Sequence, residues 1–316
     1  VLNPPKENLR QRVGYFGADN GIYFEVDGTT AYFVERSLSL GTETRISQSN
    51  WNIDKLDGTG VSGITLDVTK AQILWMDIEW LGLGNVRLGF IINGNFIHAH
   101  TFQHANIIQS TYITTASLPL RYEISNTGIT TSASTLKQVC STVISEGGYE
   151  LRGLQQAVST PITAPVDLPT PAGTYYPIIS IRLKAPINNQ PDRLDAIVIM
   201  TALSIMGTGN GPQYNWQVRA SATTSGGIWE SAGPDSAIEY KLDGGSVTGG
   251  RVLASGFLTS ANQSSQSVDI LKEALFKFQL ERNGLTKTPY ELTLVAASDT
   301  AGADIYASMD WEEISR

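Results

Sequence analysis

Three residue types that carry much of protein chemistry are scarce in this sequence. Among its 316 residues there is one cysteine and there are three histidines, and charged residues make up only 16%. A lone cysteine excludes an internal disulfide bond and a zinc site built from several thiolates. Because Cys140 lies in the alternating apolar run 136–145, we expect its side chain to be buried as a small hydrophobe.

Positive charge is also scarce, and it is not clustered. The formal net charge is -8, and the chain contains no run of lysine or arginine. This balance disfavours a role in binding nucleic acid. The low total charge instead favours an assembly in which partner subunits cover part of each surface.

Long apolar runs and catalytic signatures are missing as well. No window reaches the about 18 consecutive apolar residues of a membrane-spanning helix, and the start at 1–12 lacks the apolar core of a signal peptide. The P-loop, the GxGxxG fingerprint after a strand, the GxSxG elbow and the HExxH zinc motif are all absent. We therefore predict no membrane contact, no cofactor and no catalytic residue. Because the first residue is valine, we expect the chain to be a processed or partial form of a longer product.

The chain is organised around residues 71–106, its densest apolar stretch. The apolar residues alternate there with a period of two, which indicates strands with one buried face. Turn residues at 81–84 and 93–95 divide the stretch into three antiparallel strands. The residues predicted to be buried in the core are Leu74, Met76, Ile78, Trp80, Leu88, Phe90 and Tyr122.

Similar short alternating runs fill the rest of the chain, and Gly, Asn, Asp and Pro turns separate them. Only residues 270–278 offer a helical alternative. The predicted strands outside the central stretch lie at 12–16, 22–26, 30–37, within 39–50, and at 111–115, 118–126, 132–148, 175–184, 194–207, 214–221, 237–242, 251–260, 276–282, 291–298 and 303–314.

These runs predict an all-β protein made of β-sandwich or jelly-roll modules. We expect two modules in tandem, at 1–152 and 174–316, with residues 1–12 as an extended lead-in. The Pro-, Thr- and Ala-rich segment 153–173 is predicted to be a linker or long crossover between them. A single, elaborated sandwich would give a similar pattern.

The three histidines lie within seven residues and form the best candidate for a metal site. In a strand, His98 and His100 would share a face at a spacing suited to one metal ion, and His104 would add a third ligand. No acidic or cysteine partner is adjacent, and Phe96 and Phe102 would lie on the same face. We therefore prefer half-buried rings that pack on neighbouring strands, and we predict no metal.

Two acidic patterns offer weaker candidates. Asp77 and Glu79 lie two apart beside Trp75, and paired carboxylates next to an aromatic ring are found in glycosidases. A polar face that meets solvent or a partner explains the same pattern. Asp54 and Asp57 loosely resemble a calcium loop, but the acidic residue that closes an EF-hand is absent.

Six segments of the sequence carry a resemblance to a known group of proteins: 10–30, 49–90, 99–108, 115–128, 137–149 and 305–314. Through these segments the chain resembles virion structural proteins of tailed bacteriophages, of the kind found among aquatic and cyanophage sequences. The resemblance is nearly continuous over 10–150 and sparse afterwards, and the chain departs from it at Gly17–Ala18, where an acidic pair is more common.

The resemblance implies a structural component of the phage virion, such as a capsid decoration, fibre or tail-associated protein, rather than an enzyme. We expect it to contact other virion proteins and to form a homo-oligomer. Self-association is expected because the runs 194–207 and 251–260 carry few charges, and a trimer is expected by analogy with phage fibres and spikes. A fibre module that binds a receptor or host surface glycan, and a virion-borne glycan hydrolase, remain alternatives.

Overall fold

The fold is all-β, as predicted. A computed structural model describes residues 1–79, 82–115, 118–144, 153–169, 171–184, 196–209, 211–242, 244–261, 266–267 and 280–314. In these ranges there is no α-helix, and a 3-10 turn at Gln48–Asn50 is the one helical element. The chain divides into two compact units, Val1–Gly148 and Tyr149–Arg316.

The first unit contains two antiparallel sheets. One has five strands in the order β4-β3-β2-β1-β8, and the other has three in the order β5-β6-β7. The strands are β1 (Leu9–Phe16), β2 (Gly21–Asp27), β3 (Thr30–Ser37), β4 (Thr42–Ser47), β5 (Leu74–Ile78), β6 (Val86–Ile92), β7 (Asn95–Phe102) and β8 (Leu120–Asn126).

Aromatic rings from both sheets meet in the core of this unit. Phe24 of the five-stranded sheet meets Phe90 of the three-stranded sheet edge to face, with ring centroids 5.3 Å apart. Phe33 contacts both Phe90 and Trp51, and it stacks on Trp51 at 4.4 Å. Two sheets with one apolar layer between them form a β-sandwich.

The predicted core is confirmed at its centre and less complete at its edges. Leu88 and Phe90 are fully buried, whereas Leu74, Met76 and Ile78 pack against the same core but remain partly exposed. Their strand, β5, lies at an edge of its sheet, and among the described strands it pairs only with β6. Tyr122, in the edge strand β8, is half-buried and lies outside this core cluster. Trp80 lies outside the described residues.

The second unit also contains two antiparallel sheets. Its six-stranded sheet has the order β14-β15-β11-β18-β13-β16, and its five-stranded sheet has the order β10-β19-β12-β17, with β9 also paired to β19. The strands are β9 (Leu154–Ser159), β10 (Val166–Asp167), β11 (Tyr176–Leu183), β12 (Ile197–Gly207), β13 (Gln213–Ser225), β14 (Glu230–Ser231), β15 (Ile238–Leu242), β16 (Ser246–Thr259), β17 (Gln266–Ser267), β18 (Glu291–Ser298) and β19 (Asp304–Ile314).

One apolar cluster joins the two sheets of the second unit. Val218 and Leu294 enter it from the six-stranded sheet, and Met309 and Trp311 enter it from the other. Trp311 is fully buried, and its indole N–H donates to the carboxylate of the buried Glu313 at 2.8 Å. The polar edge of this large ring is therefore satisfied within the core.

The segment predicted as a linker is part of the second unit. Residues 154–159 form β9 and residues 166–167 form β10, and both pair with β19. Its prolines fall between or beside the strands, where a missing N–H breaks no ladder. The lead-in is also anchored, because Leu2 enters the first core and the Gln11 side chain exchanges hydrogen bonds with Asn3.

Three further sequence expectations are wrong. Residues 111–115 form no strand, and neither do residues 132–144; the predicted positions 145–148 lie outside the described residues. Cys140 is exposed, because this segment joins none of the described sheets and its backbone instead bonds to the N-terminal residues, as at Lys137 and Val1. The run 276–282 is described only from residue 280, where a single bridge joins Arg282 to Pro289. Residues 270–278 lie outside the described part of the chain.

Candidate functional site

A β-bulge in β7 decides where the histidines point. Asn93 and Gly94 both have positive φ and form the two-residue turn between β6 and β7. Leu88 pairs with His100, but the next residue, Gly89, pairs with His98, so one extra residue, Ala99, is inserted. Adjacent residues of β6 face opposite sides, and the bulge therefore places His98 and His100 on opposite faces.

His100 lies on the inner face, within the apolar core. Its ring stacks on Phe33 at 6.3 Å and meets Phe102 edge to face at 4.7 Å. Its Nδ1 accepts the Asn52 N–H at 3.3 Å. Burial, together with the charge of His98, lowers its pKa from the ordinary 6.5 to about 4, so the ring is neutral at pH 7.

His104 is buried in a separate position just after β7. Its Nε2 donates to the Glu35 carboxylate at 2.6 Å and its Nδ1 donates to the Gly84 carbonyl at 2.6 Å. The Tyr112 ring stacks on the imidazole, with centroids 3.8 Å apart. Burial acts to lower the pKa of His104, but the hydrogen bond and charge of Glu35 and the Gly84 carbonyl outweigh it and raise that pKa.

The structure does not bring the three histidines together. His98 lies on the outer face, His100 lies in the core, and His104 is held by Glu35. In the part of the chain that the structure describes, no group of three or more His, Cys, Asp and Glu side chains is arranged to hold a metal ion. The expectation that His98 and His100 share a face is wrong, because the bulge at Ala99 reverses the alternation.

The outer face of the three-stranded sheet carries an aromatic cluster that we call the outer aromatic face, formed by Trp75, Phe96 and His98. The Trp75 ring is 5.8 Å from Phe96 at an angle of 68° and 5.9 Å from His98 at 55°. Trp75 is paired with Gly89, where an added Cβ would come within 2.9 Å of the indole Nε1. The absence of a side chain at Gly89 therefore lets the indole lie close against the sheet.

Charged side chains continue this outer face. Asp77 lies directly opposite Arg87 in the β5–β6 pair and forms an ion pair with it, and Glu79 is 3.6 Å from the same guanidinium. Glu79 also accepts the Asn85 N–H at 3.1 Å. Both carboxylates of the glycosidase hypothesis thus contact one arginine, which is the arrangement of a structural ion-pair network.

The two carboxylates considered for calcium binding accept hydrogen bonds from residues of their own loop. Asp54 accepts the N–H groups of Leu56 at 2.9 Å and Ser62 at 2.7 Å, and these bonds outweigh its burial and lower its pKa. Asp57 accepts the N–H and the hydroxyl of Thr59. An added Cβ at Gly60 would lie 1.9 Å from the Asp54 carboxylate, so the loop closes tightly around that side chain.

Comparison of the chain with protein-family models, with curated proteins and with solved structures finds no match in any of the three. Among the residues described, no helix has the length and apolar character needed to cross a membrane.

The outer face of the five-stranded sheet carries a network of charged side chains that no sequence motif indicates. Arg12 Nε donates to Glu25 at 2.7 Å, and Arg45 bonds to the other oxygen of the same carboxylate. Arg12 also lies over the buried Tyr23 ring, 5.3 Å from its centroid. The available signal is charge with a period of two, as at Arg10 and Arg12 in β1. The long arginine side chains cover the aromatic rings on this face, as Arg36 covers Tyr23 and Arg45 covers Tyr32.

The two buried histidines give the first unit an optimum of stability with pH. The contribution of His100 is lost as pH falls from 6.5 towards 4, because the unfolded chain binds its proton first. The contribution of His104 is present below pH 6.5 and is lost as pH rises above it, because the folded chain holds that proton longer. We therefore expect the free energy of unfolding to be highest near pH 6.5.

Two variants separate the contributions of His100 and His104 when the free energy of unfolding is measured by urea denaturation at a series of pH values. His100→Phe keeps a ring in the core and should remove a fall of about 2 kcal/mol between pH 6.5 and pH 4. His104→Gln should remove the loss of stability above pH 6.5 and leave the loss below pH 6.5 unchanged. Unchanged slopes in both variants would show that neither histidine controls the profile.

Proposed function

We propose that this chain is a non-enzymatic structural component of a bacteriophage particle that acts by assembling with copies of itself and with other virion proteins. The particle assignment is supported by the resemblance over residues 10–150 and by the all-β fold with its two sandwich-like units. Self-assembly is supported by one observation above all, the exposed edge of β16.

β16 is a 14-residue strand at one end of the six-stranded sheet, and it pairs with β13 on one side. Among the described strands none pairs with its other side. Phe257 is 79% exposed and Val252 is 46% exposed, and Arg251 is the only charged residue of the strand. A long edge with apolar side chains and little charge is a template for pairing with another chain.

Two other edges of the described sheets are protected. The Asn52 side chain caps β7 by exchanging hydrogen bonds with Thr101, and the Ile53 and Asp54 N–H groups bond to the Ala99 carbonyl. At the opposite end of the six-stranded sheet, β14 has only two residues. β16 lacks such a cover within the described part of the chain. We infer that a neighbouring copy covers this edge, with a trimer as the expected assembly by analogy.

Sedimentation at micromolar concentration tests this proposal. The unmodified chain is expected to sediment as a closed oligomer. Val252→Lys with Phe257→Lys should shift it to the monomer, because lysine at an edge opposes pairing. Val61→Lys is the matched control, since Val61 is 97% exposed in a loop of the first unit. A wild-type chain that remains monomeric over this range would contradict self-assembly.

A further inference from the structure

We propose that the outer aromatic face binds an uncharged pyranose ring of a glycan. The inference concerns a second property of the first unit and does not depend on pairing at β16. The Trp75 ring forms the floor of the site, held close to the sheet because Gly89 has no side chain. A flat ring on a rigid sheet is suited to stacking against the C–H face of a sugar.

Two rings from β7 border this floor. Phe96 is 68% exposed and stands at 68° to the indole, and His98 stands at 55° to it. His98 is held in place, since its Nε2 lies 2.8 Å from the Thr101 hydroxyl. Steeply inclined rings beside a floor form a shallow recess rather than a flat patch, and the β-bulge at Ala99 is what turns His98 to this face.

The polar neighbours of the recess define the class of ligand. Arg87 is paired with Asp77 and Glu79. A guanidinium that donates hydrogen bonds and carboxylates that accept them therefore lie beside the rings. Vicinal hydroxyl groups can bond to such planar side chains in pairs. Two carboxylates and one guanidinium leave a local formal charge of -1, and the whole chain carries -8. An anionic polysaccharide or a nucleic acid is therefore disfavoured, and a neutral glycan fits.

Binding to an array of neutral hexose oligosaccharides and of uronate-containing polysaccharides tests the site, followed by titration of the best neutral ligand. We expect the full chain to bind neutral glycans only. Phe96→Ala should weaken that binding about tenfold, and Arg87→Met should weaken it as well. Ile228→Ala, which shortens an exposed apolar side chain of the second unit outside the β16 edge, should leave the affinity unchanged.

Several outcomes would overturn the inference: no neutral glycan bound at millimolar concentration, binding of uronate polymers alone, or an undiminished affinity in Phe96→Ala. Circular dichroism of Phe96→Ala ensures that a loss of binding is not a loss of fold. Sedimentation of the same variant separates this site from self-assembly, because Phe96→Ala should leave the oligomer intact.

Discussion

Replacing Phe90 by alanine is expected to lower the free energy of unfolding of the first unit by about 3–5 kcal/mol, the usual range for removing a large buried ring. Phe90 is fully buried and meets Phe24, Phe33 and Trp51 from the facing side of the core, at centroid distances of 5.3, 6.1 and 6.4 Å. No small rearrangement can fill a cavity with so many rigid rings around it. Urea denaturation followed by tryptophan fluorescence measures the loss.

Phe96→Ala provides the matched control on the neighbouring strand. Phe96 lies on the outer face of the same sheet, so its removal creates no cavity and should cost less than about 1 kcal/mol. A small loss for Phe90 together with a large loss for Phe96 would mean that the two faces of the sheet are inverted.

The second large effect is expected from breaking the buried pair of Glu35 and His104. Glu35→Ala leaves the imidazole of His104 buried, with a charge that no longer has its carboxylate partner. The loss of a partner from a buried ion pair costs about 3–5 kcal/mol. Urea denaturation at pH 6 measures this loss while His104 is protonated.

A double-mutant cycle isolates the interaction itself. The cycle combines Glu35→Leu, His104→Leu and the double variant. Because the double variant removes both charges, it should be much less destabilising than the sum of the two single variants. Additive losses would show that the two side chains act independently, and that the short Nε2–Oε2 distance contributes little to stability.

Alternation in the sequence predicts most of the strands because it reports which face of each strand is buried. The three strands within 71–106 follow from it, as do β1 to β4, β18 and β19. It does not report insertions into a ladder. The bulge at Ala99 is held by the N–H groups of Ile53 and Asp54, which are distant in sequence, and no local period can reveal it.

The same limit explains the two misread segments. Residues 132–144 alternate like a strand, but their backbone groups bond to the N-terminal residues and they join none of the described sheets. Residues 153–173 are interrupted by prolines, yet short pieces between them pair with β19, which the composition of the segment does not indicate. Pairing over such sequence distances is a property of the whole fold.

The outer aromatic face is predictable in part. Trp75 and Asp77 stand out in the sequence because they share one face of β5. Arg87, Phe96 and His98 join them only through the registers of β5 with β6 and of β6 with β7. The edge of β16 is foreseen more directly, since the low charge of 251–260 is visible before any sheet order is known.

The most direct test of the proposed function is to look for this chain in purified bacteriophage particles, by an electron-microscopy map with mass spectrometry of the same preparation. The proposed function predicts several symmetry-related copies in each particle, with β16 at the contact between neighbouring copies. Absence of the chain from the particle, or isolated copies with β16 open to solvent, would contradict it.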